Sequence, residues 1–272
     1  MARGRTRSLI VQRWQSDGPD SDTQHGVSHR APDDVVVEEP MQIRLDDHLV
    51  ATTMRTPGHD YELAVGFCFT DGALAGAPVL EVRYCATGSA SSTEFNIVSV
   101  STGGRAPIPQ PRLTTTTSSC GLCGSVSLDE LRDRLHPLED LAEFAPAVLA
   151  EAAQKVVSEQ SLFSITGGVH AAAAFGLDGS IHVVREDIGR HNAVDKVVGR
   201  LLLDGRLPAS RLGLFVSGRA SFEIVQKAWA AGFAAIVAVS APSSMAVEAA
   251  RVAGLTLAGF ARPGRMNIYV PV

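Results

Sequence analysis

Apolar positions along the chain follow two rhythms, which change near Phe163. Before it the apolar runs are short and irregular. Ser8 to Trp14 has the composition of a strand, whereas Ser16 to Asp34 holds almost nothing apolar and reads as a mobile loop. Val35 to Val37 and Met41 to Thr53 read as strands, the second alternating in part. Leu63, Val65, Phe67 and Phe69 give a helix its apolar bulk, with His59-Asp60 placed to start it and Gly72 to stop it. Val79 to Thr87 and Glu94 to Ser101 predict a hairpin across Gly88 to Ser92. Ala106 to Ser119 combines three prolines with a Ser/Thr run, which predicts an exposed loop. After it, the S-x-x-E pattern at Ser127 to Glu130 predicts a capped helix reaching Leu135, and Pro146 opens another to about Gln160.

From Phe163 onward the elements alternate. Val169 to Phe175 and Ser180 to Val184 are expected to pair across Asp178-Gly179, followed by a helix from Arg190 to Leu203. Strands are expected at Leu212 to Val216, Ala234 to Val239, Leu255 to Phe260 and Met266 to Val270, with helices at Ser221 to Ala231 and Ser243 to Ala253. This order predicts a mainly parallel sheet covered by helices on both faces, in an α/β protein. The expected organisation is a flexible segment (1–34), a smaller α+β domain (35–105), a mobile loop (106–126) and a three-layer α/β domain (127–272).

With 272 residues, 45% of them hydrophobic, the chain is long enough to build its core without staples. Its 24 basic residues stand against 29 acidic ones, a net charge of −5, which argues against nucleic acid as a partner. No apolar run approaches the roughly 18 to 20 residues of a membrane span, and the start lacks the apolar stretch of a secretory signal. The cytoplasm is therefore expected, with the four cysteines Cys68, Cys85, Cys120 and Cys123 reduced.

Cys120 and Cys123 form a C-x-x-C flanked by Gly121 and Gly124. A structural zinc site needs two more ligands at suitable spacing, and none follows, so no structural metal is expected. A thioredoxin-type site would open a helix inside a βαβ unit, but this pair ends a Thr/Ser loop. A nucleophilic cysteine on a flexible arm, able to hold and hand on sulfane sulfur, fits better; an unreactive pair is the bland alternative.

A second cluster runs from Arg185 to Lys196. It can be a capped helix start with a solvated face, or a strand end whose His191 or Asp195 orients a ligand in the crevice of an open α/β sheet. Two further strand-to-helix turns, with Ser217, Gly218 and Arg219 and with Ser240 and Ser243, leave backbone N–H groups free to seat a phosphate. Arg219, Arg262 and Arg265 add forked donors that suit phosphate oxygens.

The segments TPGHDYELAVGF (56–67), SSCGLCG (118–124), TGGVHAAA (166–173), REDIGRHNAVDK (185–196), SGRASFEIVQKA (217–228) and SAPSSMAVE (240–248) together resemble the formate dehydrogenase accessory sulfurtransferase family, FdhD. The resemblance implies an enzyme that takes sulfur from a cysteine desulfurase and passes it to the molybdenum bis(molybdopterin guanine dinucleotide) cofactor destined for formate dehydrogenase. It implies Cys120 as the persulfide-bearing nucleophile and Cys123 as its assisting or resolving partner. It maps the nucleotide site onto Phe260, Ala261, Arg262, Pro263, Gly264 and Arg265, with GDP or GMP as analogues of the bound nucleotide. It further implies a cytidine-deaminase-like C-terminal domain and a homodimer. The zinc-ligand patterns of deaminases are missing, so deamination is not expected. An alternative role is a non-enzymatic escort that only binds the cofactor, and a minor one is thiol–disulfide exchange.

Overall fold

Turn chemistry decides the layout of the first half of the chain. A computed structural model describes residues 4–16, 26–85, 96–109, 131 and 133–271. Strand β1 (Thr6–Ser16) pairs antiparallel with β2 (Gly26–Val36) in a two-stranded ribbon. The polar stretch from Ser16 to Asp34, expected as a loop, therefore contributes a strand from Gly26 onward. Main-chain pairing alone accounts for it, since both strands are largely exposed and no apolar face was there to announce it. Strands β3 (Glu39–Leu45) and β4 (His48–Arg55) form a hairpin where one continuous strand was expected. Asp46 and Asp47 turn the chain at φ of 45° and 65°, a left-handed geometry that Asp tolerates.

Helix α1 (Asp60–Thr70) starts after His59, itself at φ 57°, and gives way to Gly72 at φ 83°, as the sequence predicts. Strands β5 (Glu81–Tyr84) and β6 (Ile97–Ser101) pair as expected and complete a sheet of order β4-β3-β6-β5. Met41, Ile43, Leu45, Val98 and Val100 pack on Leu63, Ala64, Phe67 and Cys68 of α1. Cys68 is fully buried, where desolvation raises its thiol pKa and keeps it inert.

The second half begins with α2 (Pro146–Ser158) and a short α3 (Ser161–Thr166), the latter missed in the sequence. Then follow β7 (His170–Phe175), β8 (Ile181–Asp187), α4 (Arg190–Leu203), β9 (Gly213–Val216), α5 (Phe222–Ala231), β10 (Ala235–Ala238), α6 (Ser244–Ala253), β11 (Thr256–Arg262) and β12 (Arg265–Val270). The sheet order is β12-β11-β10-β9-β7-β8. Only β9, β10 and β11 run parallel, so the expected mainly parallel sheet is mixed. The reason lies in connection length: tight turns at Asp178-Gly179 and Pro263-Gly264 can return a strand only antiparallel, while helical crossovers feed the centre. Alternate residues sort onto two faces. Leu214, Val216 and Ile236 face α4, α5 and α6, whereas Phe175, Phe215 and Val237 face α2, giving three layers. Of the helix expected from Ser127 to Leu135, Leu131, Asp133 and Arg134 are described and helical; 127–130 and 132 lie outside the described residues, as do 110–126 of the loop region.

The two sheets meet through α1 and α4, which cross at glycines. A Cβ on Gly66 would overlap the carbonyl oxygen of Asp195, and one on Gly199 would overlap that of Glu62. Because backbone rather than a pliable side chain stands in the way, Gly199→Ala is expected to cost about 3 kcal/mol or more, the upper end of overpacking penalties, measured by urea unfolding.

Candidate functional site

The charged run from Arg185 to Lys196 turns mostly inward. Asp187 ends β8 and Lys196 sits in the second turn of α4; both are fully buried and pair at 2.7 Å. Asp187 also accepts bonds from the Gly189 N–H (2.8 Å), Asn192 Nδ2 (3.0 Å) and the Thr56 N–H (3.2 Å). Lys196 Nζ donates to the Thr56 carbonyl at 3.0 Å, and Asn192 Nδ2 to that of Met54 at 2.8 Å. Arg185 grips Glu62 of α1 through two bonds of 2.5 and 2.8 Å, and Glu186 accepts the Leu162 and Phe163 N–H groups at the start of α3. Burial would raise the Glu62 pKa, but Arg185 and His59 override it and hold the carboxyl at about 2.

Asp195, a candidate ligand-orienting residue, is buried and bound at 2.8 Å by Lys227 Nζ and by Thr70 Oγ1. Its carboxylate ties α4 to α5 and α1. The structure thus sets it apart from the crevice.

That crevice opens at the C-terminal ends of β9, β10 and β11. Three turns lie side by side there: the Ser240 N–H donates to the Gly218 carbonyl at 3.2 Å, and the Phe260 N–H donates to the Ser240 carbonyl at 3.2 Å. Ser217, Gly218, Arg219, Ser240 and the Phe260–Arg265 hairpin are therefore brought together. Two of the hydroxyls have structural work: Ser217 Oγ accepts from the Ala171 N–H (2.9 Å) and Ser243 Oγ caps α6 by accepting from the Ala246 N–H (3.2 Å). Arg219 is exposed. Phe260 takes φ 53° and presents its ring to solvent. A cavity of about 300 Å³ is lined by Phe260, Arg262, Arg265, Met266 and Asn267. Arg262 Nη1 spends both hydrogens on the Val239 and Ala261 carbonyls, at 2.7 and 2.8 Å. The Nε and Nη2 edge, which makes bidentate contact with oxyanions, faces away from these bonds.

Beside Gly218 stand residues that the sequence reading did not single out, close to His191, which it did. His170, at the start of β7, and Arg190, at the start of α4, flank Gly218, within about 4 Å of where its Cβ would be. His191 Nε2 is buried without a hydrogen-bond partner, 3.9 Å from Glu223 Oε2. Burial first, and then the positive Lys227 and Arg190, push the His191 pKa down to about 3, so the ring is neutral near pH 7. His170 is lowered too, by burial and Arg190. Position in TGGVHAAA and SGRASFEIVQKA was the only signal for His170 and Glu223. Cys120 and Cys123 lie outside the described residues. Among the described residues no group of His, Cys, Asp and Glu side chains is placed to hold a metal ion, and no helix is long and apolar enough to cross a membrane.

Residues 36–271 match the model of the FdhD/NarQ family. The chain is 48% identical over 252 residues to the sulfur carrier protein FdhD of Streptomyces coelicolor, covering 90% of this chain and 89% of that protein. It is 48% identical over 245 residues to the protein of the same name from Mycolicibacterium paratuberculosis, covering 88% and 90%. A crystal structure of a formate dehydrogenase accessory protein from Desulfotalea psychrophila superposes with a TM-score of 0.71 at 25% identity, covering 96% of each chain.

Two of the shifted groups, His191 and Glu62, act on stability in the same direction. A histidine that is neutral when folded takes up a proton only on unfolding between about pH 6.5 and pH 3, so stability falls as pH drops through that window. Glu62 stabilises fully above about pH 4.5 and its contribution is lost toward pH 2. Between pH 7 and pH 5 the His191 effect stands alone of the two and should cost about 2 kcal/mol. Urea unfolding of His191→Gln at both values should show a pH-dependent loss about 2 kcal/mol smaller than in the unaltered protein.

Proposed function

The chain belongs to the FdhD/NarQ family, and from that premise we propose that it carries sulfane sulfur on Cys120 to a guanylylated molybdenum cofactor destined for formate dehydrogenase. The observation that carries the reading is identity near one half, over nine-tenths of the chain, to proteins named sulfur carriers. A sulfur-carrying role in service of formate dehydrogenase follows from that likeness and from the accessory protein of the same fold.

The chemistry is that of persulfides. The Cys120 thiolate attacks the outer sulfur of a desulfurase persulfide; an S–S bond forms to Cys120, and the desulfurase thiolate leaves. Attack by the Cys123 thiol on Cys120 then releases the outer sulfur as sulfide at the acceptor. The two cysteines are left as a disulfide that a dithiol reductant must reset. Completed in this way, the cycle makes the protein a sulfurtransferase enzyme, acting in the cytoplasm as a pair of identical copies.

The crevice supplies the cargo's seat. The cavity at Phe260, Arg262, Arg265 and Asn267 offers two guanidinium groups and an exposed ring, a set suited to a phosphate and a base. The N-terminal ends of α4 and α5 add N–H groups beside Gly218. Ser217, Arg219 and Ser240 sit in the turns bonded beside this hairpin, which Ala261, Pro263 and Gly264 shape.

Incubation with a cysteine desulfurase and cysteine, followed by mass spectrometry of the peptide containing Cys120 and Cys123, should find it heavier by whole sulfur atoms. A bare thiol there would leave only cofactor escort. Cys120→Ala is expected to abolish formate dehydrogenase maturation without lowering the protein's stability, with a weaker defect for Cys123→Ala. Arg262→Ala and Arg265→Ala should each cost on the order of 1.5 to 3 kcal/mol of GDP binding by calorimetry, the range for hydrogen bonds to charged groups.

A further inference from the structure

Next to the cavity at Arg262 and Arg265 lies a second, larger space. It is a groove of about 600 Å³ between helix α2 and strand β12, within the size range of small-molecule sites, and it adjoins the first cavity across Arg265 and Met266, which line both. Helix α2 buries Leu149, Ala153 and Val156 in the core under the sheet and turns Ala147, Ala150, Glu151 and Gln154 to the groove. The opposite wall is the apolar pair Met266 and Ile268, two residues apart and so on one face of β12. Ile268 is 41% exposed there, an apolar side chain left open on the edge strand of the sheet. Small residues on one wall and apolar ones on the other make a slot that suits a flat ring.

We propose that this groove holds a 2-amino-4-oxopyrimidine ring, the edge that guanine and pterins share, with Glu151 accepting from the ring N–H and the exocyclic amino group and Gln154 donating to the oxo group. The inference rests on the reading of the cargo as a guanylylated molybdopterin, in which both heterocycles carry that edge, and adds the residues that recognise it.

The match is one of donor and acceptor order. Glu151 and Gln154 stand three residues apart on α2, hence side by side on its surface. The carboxylate offers two acceptor oxygens and the amide an N–H donor, against an edge that presents two donors and then an acceptor. Lys155 steadies the carboxylate: its Nζ donates to the Gly179 carbonyl at 3.1 Å and stands 3.9 Å from Glu151 Oε2. Adenine would turn its N1 lone pair toward the carboxylate, a repulsive contact. Hypoxanthine keeps the ring N–H and the oxo group but lacks the amino group, and so leaves one carboxylate oxygen without its partner. Arg262 and Arg265 meet the same phosphate oxygens in every nucleotide, so they give hold without choice. Discrimination between rings falls to the α2 wall.

Calorimetry on the full chain with GDP and with IDP, which lacks the 2-amino group, together with fluorescence titration of 6-hydroxymethylpterin, tests the groove in the unaltered protein, in Glu151→Gln and in Ala150→Leu. If guanine occupies it, GDP binds at least about tenfold more tightly than IDP, and Glu151→Gln erases that preference. If the pterin occupies it, GDP and IDP bind alike, while Glu151→Gln weakens the pterin at least about tenfold. In either case Ala150→Leu, which fills the groove with a good helix former, weakens the same ligand. The proposal is overturned if Glu151→Gln leaves both ligands bound as before, if Ala150→Leu does so, or if the unaltered protein binds neither. Only the last of these reaches back to the cargo reading. GDP binding that weakens in Arg262→Ala and ignores Glu151→Gln removes the groove and keeps the phosphate seat, and persulfide on Cys120 is read in a separate experiment.

Discussion

One buried ammonium decides how the halves of this protein sit together. Lys196 is fully buried, and its charge is met by Asp187 and by the Thr56 carbonyl. An unpaired charge there would be ruinous, so the turn after β4 and the end of β8 must reach α4 together. Around that requirement the other contacts fall into place. Asn192 reads the Met54 carbonyl, Arg185 clamps α1 through Glu62, and the glycine crossing of α1 on α4 lets the backbones come close enough for all of it. The crevice is a by-product of this docking, since α4 can present Arg190 to Gly218 only when its first turn is fixed.

Much of the second half was legible in the chain. Arg190 to Leu203 was readable as a helix to the residue, and the central strands were visible as unbroken apolar runs because both their faces are covered. Strand direction was less legible, because it depends on connection length: the two outer turns are short hairpins, and a pattern of apolar runs does not encode which way each run points. The first half was harder to read. β2 has a loop-like composition and is held by main-chain bonds to β1, and the Asp46-Asp47 turn hides inside an otherwise continuous run of strand residues.

The site was readable in composition but not in allegiance. His191 and Asp195 lie one helical turn apart and looked equivalent. Yet Lys227 arrives from α5, thirty-two residues away, and claims Asp195 while leaving His191 Nε2 without a partner. Likewise His170 becomes a crevice residue only because β7 is placed next to β9. Such assignments depend on non-local packing, which single-residue chemistry cannot foresee.

The anchoring of Arg262 has an energetic consequence of its own. A free arginine loses up to about 2 kcal/mol of rotamer entropy when it is immobilised on a ligand. Here the Val239 and Ala261 carbonyls have already removed much of that freedom during folding, at the cost of some stability margin. At the proposed phosphate seat an oxyanion would meet an arginine already held in place. Its binding should therefore carry a smaller entropic penalty than the same contact made by an unrestrained surface arginine, with the gain expressed mainly in slower release.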